Sequence, residues 1–288
     1  MKSILLIGAN GQVGYELQKS LATLGQVTAC SRNELDLGDN AKIIDQIRRC
    51  KPEIIVNAAA YTAVDRAEGE PTLAMQINGT APGVLAEEAK RLDALLVHYS
   101  TDYVFDGSSK KPYSEEDAPN PINVYGQTKL TGEKNIQAVG GRHLILRTSW
   151  VYSSRGHNFL KTMLKLADEG KEINVVADQT GVPTWNRFLA EYTVKALQIL
   201  EGGKEAHQLC GLYHLTASGS TSWYGFAKAI FDMQGKKPIL NPITSDQYVS
   251  AAKRPLNSLL SNVKFQKAFG LKLPSWEQGL KLCLDELN

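Results

Sequence analysis

Short apolar runs alternate with longer amphipathic stretches over the first half of the chain. The apolar runs that we interpret as strands are 3–7, 27–30, 53–57, 94–99 and 144–147, and the stretches that favour helices lie near 11–24, 41–50, 72–91 and 124–139. Continuous apolar strands separated by helices predict a parallel sheet with helices on both faces. Right-handed crossovers would make this α/β fold a doubly wound one.

The same pattern suggests how the chain is divided. We predict a sheet domain over residues 1–150, with a return segment at about 171–215 that contains the apolar runs 173–176 and 211–215. Residues 151–170 and 216–288 would then form a smaller, mainly helical cap. The clearest helical stretches of this cap are 158–167 and 222–231.

Composition excludes several classes of function. The chain has 288 residues and a formal net charge of +2, without a dense run of Lys or Arg, which gives no footprint for nucleic acid. No stretch approaches the roughly 20 apolar residues of a membrane span. The four cysteines and five histidines are scattered without metal-ligand spacing, so we expect reduced thiols, no zinc site and a cytoplasmic protein.

A glycine-rich loop, Gly8-Ala-Asn-Gly11-Gln12-Val13-Gly14, follows the first strand and opens a helix. Glycine permits a tight turn and a close approach of the backbone to a pyrophosphate, while the helix N-terminus offers free N–H groups to the anion. The spacing is GxxGxxG, as in short-chain dehydrogenases. The loop therefore predicts a dinucleotide-binding, Rossmann-type sheet.

The end of the second strand selects between the two nicotinamide dinucleotides. NAD binders usually carry an acid here for the ribose hydroxyls, but this chain has Cys30-Ser31-Arg32. A guanidinium at Arg32 suits a 2′-phosphate, and Asp36 lies where it would contact the adenosine. We expect NADPH as the cofactor, with NADH also usable.

Tyr125 and Lys129 are four residues apart in a predicted helix and therefore share one helical face. A lysine cation near a tyrosine favours the phenolate and moves its pKa toward the working pH. Thr101, at the end of a strand and before Tyr125, offers a hydroxyl that could polarise the same carbonyl oxygen. Together with the glycine loop, the three residues predict carbonyl reduction, with Tyr125 as the proton donor.

Several segments resemble the dTDP-4-dehydrorhamnose reductases, a family of extended short-chain dehydrogenases. The similar segments are 56–65, 99–105, 123–130, 147–152, 178–184 and 254–258, so the resemblance covers nearly the whole chain. It implies reduction of the C4 ketone of dTDP-4-dehydro-L-rhamnose, the last step of dTDP-L-rhamnose synthesis. A nucleotide sugar is therefore the expected partner, and a homodimer is one arrangement that the family allows.

The resemblance also implies roles for individual residues. The implied catalytic set is Thr101, Tyr125 and Lys129, with Lys129 also holding the nicotinamide ribose. Substrate would meet Thr101, Asp102 and Trp150. We add Arg254 as a candidate for the diphosphate, because a guanidinium pairs well with phosphate oxygens. By resemblance the cofactor would meet Gly11, Gln12, Val13, Asp36, Leu37, Ala60, Tyr61, Thr62 and Lys129. The glycine loop, the end of the second strand and the Tyr–Lys pair add Gly8, Gly14, Ser31, Arg32 and Tyr125 to the expected cofactor site.

Two positions depart from the family pattern. Family members often have an acid where this chain has Ser31, which argues against strict use of NADH. Some members are described as dimers bridged by Mg²⁺ between carboxylates. Glu16 could serve as one ligand, but Arg187 stands where a second acid is expected, so Mg²⁺ remains an open option and we assign no metal ligand.

Three alternative functions are compatible with parts of the sequence pattern. A related dehydratase would have Asp-Glu after the Ser or Thr, the glutamate removing a proton, whereas this chain has Thr101-Asp102-Tyr103. A reductase acting on another nucleotide-linked keto-sugar fits the same motifs. A non-catalytic, NADP-binding regulatory subunit is the alternative from a different class, because a fold can outlast its chemistry.

Overall fold

The structure, a computed structural model, describes residues 1–287 and, within them, every side chain except those of residues 204 and 205. The strands are β1 (Lys2–Ile7), β2 (Gly25–Cys30), β3 (Ile54–Asn57), β4 (Leu95–Thr101), β5 (His143–Thr148), β6 (Val151–Tyr152), β7 (Ile173–Val176), β8 (Thr180–Gly181), β9 (Thr184–Trp185), β10 (Gly211–His214), β11 (Thr221–Ser222) and β12 (Leu240–Ile243). The helices are α1 (Gln12–Leu21), α2 (Asn40–Cys50), α3 (Val64–Gly69), α4 (Pro71–Met75), α5 (Ala81–Arg91), α6 (Val124–Val139), α7 (Phe159–Asp168), α8 (Asn186–Leu200), α9 (Trp223–Gln234), α10 (Val263–Phe269) and α11 (Trp276–Asp285).

Six of these strands form one parallel sheet in the order β10-β5-β4-β3-β1-β2. Side chains alternate between its faces, so neighbouring residues of one strand enter different cores. Leu6 and Val56 belong to the core on one face, and Leu5 and Ile55 belong to the core on the other. Because both faces of the sheet are buried, the sequences of its strands are continuously apolar. The parallel sheet with helices on both faces confirms the predicted doubly wound fold.

Different helices cover the two faces. Leu17 of α1 and Leu189 of α8 pack into the first core, while Ile43 of α2, Leu85 of α5 and Ile136 of α6 pack into the second. The apolar side chains of each helix recur with helical spacing and are fully or almost fully buried. The sheet is therefore held from both sides, and the carboxyl ends of its strands meet along one edge.

One of the two strand predictions on the return segment needs correction. Residues 211–215 do return to the sheet, since β10 pairs with β5, but the run 173–176 does not. It pairs instead with β12 in a separate two-stranded parallel sheet, and β10 occupies the edge beside β5. The 15-residue helix α8 within this segment was not predicted.

The helix predicted at 72–91 is also interrupted. α4 and α5 are separated by a π-helical turn, Gln76–Thr80. Asn78 in this turn is buried, and its side-chain amide binds both the backbone N–H and the carbonyl of Tyr61, at 2.8 and 3.0 Å. The local change of helical pitch thus aims a polar side chain at the loop that follows β3, a recurrent use of such turns.

Among the helices of residues 1–287, none combines the length and apolar character that a bilayer span requires.

Candidate active site

A cleft of about 380 Å³ opens along the carboxyl ends of β1, β3, β4 and β5. In open parallel sheets this is the edge at which ligands bind. The residues predicted from the sequence that line it are Gly8, Gly11, Gln12, Val13, Arg32, Asp36, Leu37, Ala60, Tyr61, Thr62, Tyr125 and Lys129. The glycine loop and the Tyr–Lys pair therefore belong to a single concave site.

The glycine loop is too tightly packed to accept side chains. Gly8 has a φ of +86°, and a Cβ there would lie 2.7 Å from the backbone nitrogen of Ala59. A Cβ on Gly14 would overlap the carbonyl oxygen of Gly8, so Gly14 supports the loop from beneath rather than lining the cleft. Gly11 is the N-cap of α1 and supplies no side chain to satisfy the first N–H groups of the helix. The residues present fit a bound pyrophosphate.

At the far end of the cleft, Arg32 is 73% exposed, and its Nε lies 3.8 Å from Asp36 Oδ2. Ser31 does not line the cleft, and its backbone N–H donates to the Glu34 carboxylate at 2.7 Å. The carboxylate of Glu34 is therefore bound within its own loop and does not line the cleft. The charged groups at this rim of the cleft are therefore the exposed guanidinium of Arg32 and the carboxylate of Asp36 beside it.

Tyr125 is brought to the cleft by the first turn of α6. Asn123 caps this helix by accepting a hydrogen bond from the N–H of Gly126 at 2.8 Å. A Cβ at Gly126 would overlap the carbonyl oxygen of Tyr103, so glycine lets the helix start lie directly against the turn that follows β4. The rings of Tyr103 and Tyr125 meet edge to face, with centroids 5.5 Å apart.

This contact places Tyr125 beside the end of β4. Burial raises the pKa of Tyr125 to about 12, and a side-chain hydrogen bond with Thr101 opposes that rise. Thr101 Oγ1 in turn donates to Asp102 Oδ1 at 3.0 Å. Burial raises the pKa of Asp102 to about 6, against hydrogen bonds from Ser258 and Thr101. Tyr125 is thus a neutral phenol, the form that can give up a proton.

Lys129 lies one helical turn further along α6, and its ammonium end is buried. Its Nζ donates to the carbonyl of Tyr99 at 2.6 Å and lies 3.2 Å from His98 Nε2. Burial lowers the pKa of Lys129 to about 8, against the attraction of Glu133. The pKa of His98 is lowered well below its usual value by burial and then by Lys129. Sequence reasoning missed His98, because no spacing rule connects it with the Tyr–Lys pair.

A second unpredicted feature lies close by. Arg147 on β5 makes two hydrogen bonds to the Glu133 carboxylate, at 2.9 and 2.6 Å, and Ser100 donates to the same carboxylate. Arg147 and Glu133 are both almost completely buried. The pair fixes the third turn of α6 to the sheet, and Lys129 lies in the second turn, between this pair and Tyr125.

The predicted substrate residues are split between two places. Thr101 and Asp102 lie beside Tyr125 without lining the cleft, whereas Arg254 lines a separate pocket of about 490 Å³ between residues 157–179 and Trp223. Arg254 Nη2 donates to Asp65 at 2.6 Å, which fixes its guanidinium on the pocket wall. The pocket is also lined by Phe159 and Trp223.

Trp150 does not line this pocket directly. Its indole stacks on that of Trp223, with centroids 3.7 Å apart, and its backbone has a φ of 47°, in the left-handed region. Of the two stacked indoles, it is therefore that of Trp223 that lines the pocket, together with the rings of Phe159 and Tyr248. The helical run at 222–231 was recognised in the sequence, but nothing marked its tryptophan as a site residue.

The residues at the suggested Mg²⁺ site do not fit a metal ion. Arg187 Nε donates to Glu16 at 3.2 Å, and its other end pairs with Glu286. A guanidinium between two carboxylates already supplies the positive charge and blocks their approach to a cation. Within residues 1–287, no cluster of three or more His, Cys, Asp or Glu side chains is placed to hold a metal ion.

Comparison with known proteins places this site in a family. The sequence profile described as the RmlD substrate binding domain matches residues 1–288. The chain is 47% identical to the dTDP-4-dehydrorhamnose reductase of Burkholderia thailandensis over 293 residues, covering 99% of this chain and 98% of that protein. The chain belongs to the dTDP-4-dehydrorhamnose reductase family. The predicted family membership is confirmed, and the chain is an NAD(P)-dependent oxidoreductase.

Solved structures agree with this assignment. A dTDP-4-dehydrorhamnose reductase from Bacillus anthracis, in complex with NADP, superposes with a TM-score of 0.92 at 36% identity, covering 99% of this chain and 100% of that one. The UDP-glucose 4-epimerase of Thermus thermophilus, in complex with NAD, has a TM-score of 0.80 at 18% identity and covers 99% and 98% of the two chains. The second likeness shows a shared fold only.

Proposed function

We propose that this enzyme reduces the C4 ketone of dTDP-4-dehydro-L-rhamnose to dTDP-L-rhamnose, with Tyr125 as proton donor and NADPH as preferred cofactor. The observation that carries the proposal is the single cleft that holds the glycine loop, Tyr125 and Lys129. The names of the full-length relatives support the substrate.

The chain's own residues supply binding, orientation and a proton. The N–H groups at the start of α1 would hold the pyrophosphate, and Lys129 would hold the nicotinamide ribose. When bound, NADPH supplies the hydride that adds to the carbonyl carbon. Thr101 would bind the carbonyl oxygen and keep it beside Tyr125.

Tyr125 is suited to carbonyl reduction because its phenol is protonated before the reaction. Its raised pKa keeps the phenol neutral until negative charge develops on the substrate oxygen. The proton then moves from the phenol to that oxygen, and the phenolate left behind is stabilised by the charge on Lys129. The separate pocket, with Arg254 and Trp223 on its wall, is the proposed site for the nucleotide.

Steady-state oxidation of NADPH at 340 nm tests the function. Turnover should be efficient with dTDP-4-dehydro-L-rhamnose, and NADPH should be used better than NADH. Saturable NADPH binding without turnover of any keto-sugar would instead identify a regulatory subunit. Faster turnover of a UDP- or GDP-linked keto-sugar would overturn the proposed substrate while leaving the reductase chemistry in place.

A further inference from the structure

The environment of Lys129 contains a hydrogen-bond chain with a fixed direction. It begins at the backbone N–H of Ala59, which donates to Asn57 Oδ1 at 3.1 Å. A backbone N–H cannot donate to an amide NH₂ group, so this bond decides which side-chain atom of Asn57 is the oxygen. The atom that faces His98 is therefore the nitrogen, Asn57 Nδ2.

The orientation of the Asn57 amide also determines which ring nitrogen of His98 carries the proton. Asn57 Nδ2 lies 3.1 Å from His98 Nδ1, and because Nδ2 can only donate, Nδ1 must accept. A neutral imidazole carries one proton, so the proton of His98 is on Nε2. His98 is neutral because it is buried at 1% exposure next to Lys129, which lowers its pKa.

The protonated nitrogen faces Lys129. His98 Nε2 and Lys129 Nζ are 3.2 Å apart, and both side chains are only 1% exposed, so water does not separate them. An ammonium has three donors and no acceptor, whereas an uncharged amine has a lone pair. Nε2–H therefore has an acceptor only when Lys129 is uncharged. A charged Lys129 would require the other tautomer of His98 and would break the bond to Asn57.

We propose that Asn57 and His98 act as positioning residues, a tautomer lock that favours the uncharged amine of Lys129 in the cofactor-free enzyme. The other charged group that faces Lys129 is Glu133 on α6, and its carboxylate is already paired with Arg147 on β5. The lock keeps Lys129 able to take up and release a proton near neutral pH instead of being a permanent cation. This is the property required of a group that exchanges protons with Tyr125 between turnovers.

The inference rests on the proposed function for its purpose, but its first test needs no substrate. Long-range ¹H–¹⁵N NMR of the ¹⁵N-histidine-labelled enzyme distinguishes the two neutral tautomers, and His98→Gln identifies the signals of residue 98. Without cofactor, above pH 8, His98 should carry its proton on Nε2. A proton on Nδ1, or a charged ring, would overturn the lock whatever the enzyme reduces.

The second test reads the effect on Lys129. Loss of the Lys129 proton should produce the alkaline limb of the pH profile of kcat/KM for NADPH, because this quantity reports groups of the free enzyme. A glutamine carbonyl at position 98 can accept from the ammonium, so H98Q should move that limb up by about one pH unit. N57D should move it in the same direction, because a carboxylate accepts from both Ala59 N–H and an Nδ1–H.

The matched control is His143→Gln, a partly buried histidine on β5 whose ring contacts the carbonyl of Gly141. This variant should keep the wild-type profile. Folded H98Q and N57D enzymes with unshifted profiles would overturn the proposal. A wild-type enzyme that carries the His98 proton on Nε2 but reduces no keto-sugar would refute only the proposed function.

Discussion

Thr101 donates a hydrogen bond to Asp102 at the end of β4, and one carboxylate oxygen of Asp102, Oδ2, is buried without a hydrogen-bond partner among the described residues. A carboxylate in this position is desolvated and incompletely satisfied, which costs stability when it is charged. The same residue lies beside the proposed proton donor, so the cost is consistent with a functional role.

Asp102→Asn should stabilise the folded enzyme at neutral pH. The pKa of Asp102 is about 6 in the folded chain and near its usual value when unfolded, so the folded state binds an extra proton between about pH 4 and pH 6. The free energy of unfolding therefore falls as pH rises through this window. An amide avoids that loss, so D102N should be more stable by roughly 2–3 kcal/mol at pH 7.5 and by little at pH 4.

Urea unfolding of both proteins at the two pH values measures the difference. Asp106→Asn is the control with opposite sign, because hydrogen bonds from Ser108 and Asn120 hold the pKa of Asp106 below its usual value. That variant should be less stable than wild type at pH 7.5, and the deficit should shrink as pH falls. A stability gain in D102N that is independent of pH would contradict the explanation.

Tyr125→Phe should lower kcat by at least about 10²-fold, since general acid catalysis contributes on this scale. The ring and its packing against Tyr103 remain, so the dissociation constant for NADPH should be nearly unchanged. Single-turnover assays and fluorescence titration with NADPH measure the two effects. Tyr213→Phe, which removes a tyrosine hydroxyl bonded to the carbonyl of Leu209, should turn over normally. A Tyr125→Phe enzyme at near wild-type rate would remove Tyr125 from the mechanism.

The sequence predicted those parts of the site that local rules determine. The glycine loop follows from a strand, a turn and a helix start within seven residues, and Tyr125 and Lys129 share a face because helices repeat every 3.6 residues. Val124–Val139 was predicted with the bounds that the structure has. Such features depend on short stretches of chain, so their pattern survives in the linear sequence.

The missed features depend on register between distant strands. Asn57 and His98 are cross-strand neighbours in β3 and β4, and Arg147 reaches Glu133 from a strand to a helix. The run 173–176 has the composition of a strand of the central sheet, but its partner is β12, which lies more than 60 residues further along the chain. Pairing between distant strands depends on the topology of the whole fold, and the hydrophobic periodicity of one segment does not specify it.

Arg32 should contribute to the preference for NADPH. It is the exposed cation at the rim where a 2′-phosphate would lie, and its only ion pair is a long one with Asp36 among the described residues. Arg32→Ala should raise KM for NADPH about tenfold, equivalent to about 1.4 kcal/mol, with little change for NADH. Initial rates with both cofactors measure the ratio. Arg91→Ala, which removes an arginine paired with Glu88 outside the cleft, should leave the ratio unchanged. Equal losses with both cofactors would contradict the assignment.

The buried Glu133–Arg147 pair predicts strong coupling in a double-mutant cycle. Arg147→Met leaves a buried carboxylate without its cation and should cost about 3–5 kcal/mol, whereas the E133M/R147M double variant should recover much of that loss. Urea unfolding of the four proteins gives the coupling energy. For comparison, Arg48→Met removes one of the two arginine partners of Glu88, from a 54% exposed position, and should cost about 1 kcal/mol or less. Additive losses at positions 133 and 147 would mean that the pair is not energetically coupled.

Arg187 should make the enzyme's stability independent of divalent metal. Its guanidinium pairs with both Glu16 and Glu286, so it occupies the space between the two carboxylates that Mg²⁺ would need. The melting temperature of the wild type should be the same in EDTA and in MgCl₂. Arg187→Glu brings three carboxylates together, and like-charge repulsion should lower the melting temperature in EDTA by about 2–6 °C.

Magnesium should restore part of that loss in Arg187→Glu, because oxygen ligands now converge on one point. Arg187→Gln distinguishes the loss of the ion pairs from the gain of a metal ligand. It loses both ion pairs but supplies no carboxylate, so this variant should be destabilised without a response to Mg²⁺. Differential scanning calorimetry of the three proteins, each in EDTA and in MgCl₂, measures these differences. A wild-type melting temperature that rises with Mg²⁺ would show that the carboxylates still bind metal in the presence of Arg187.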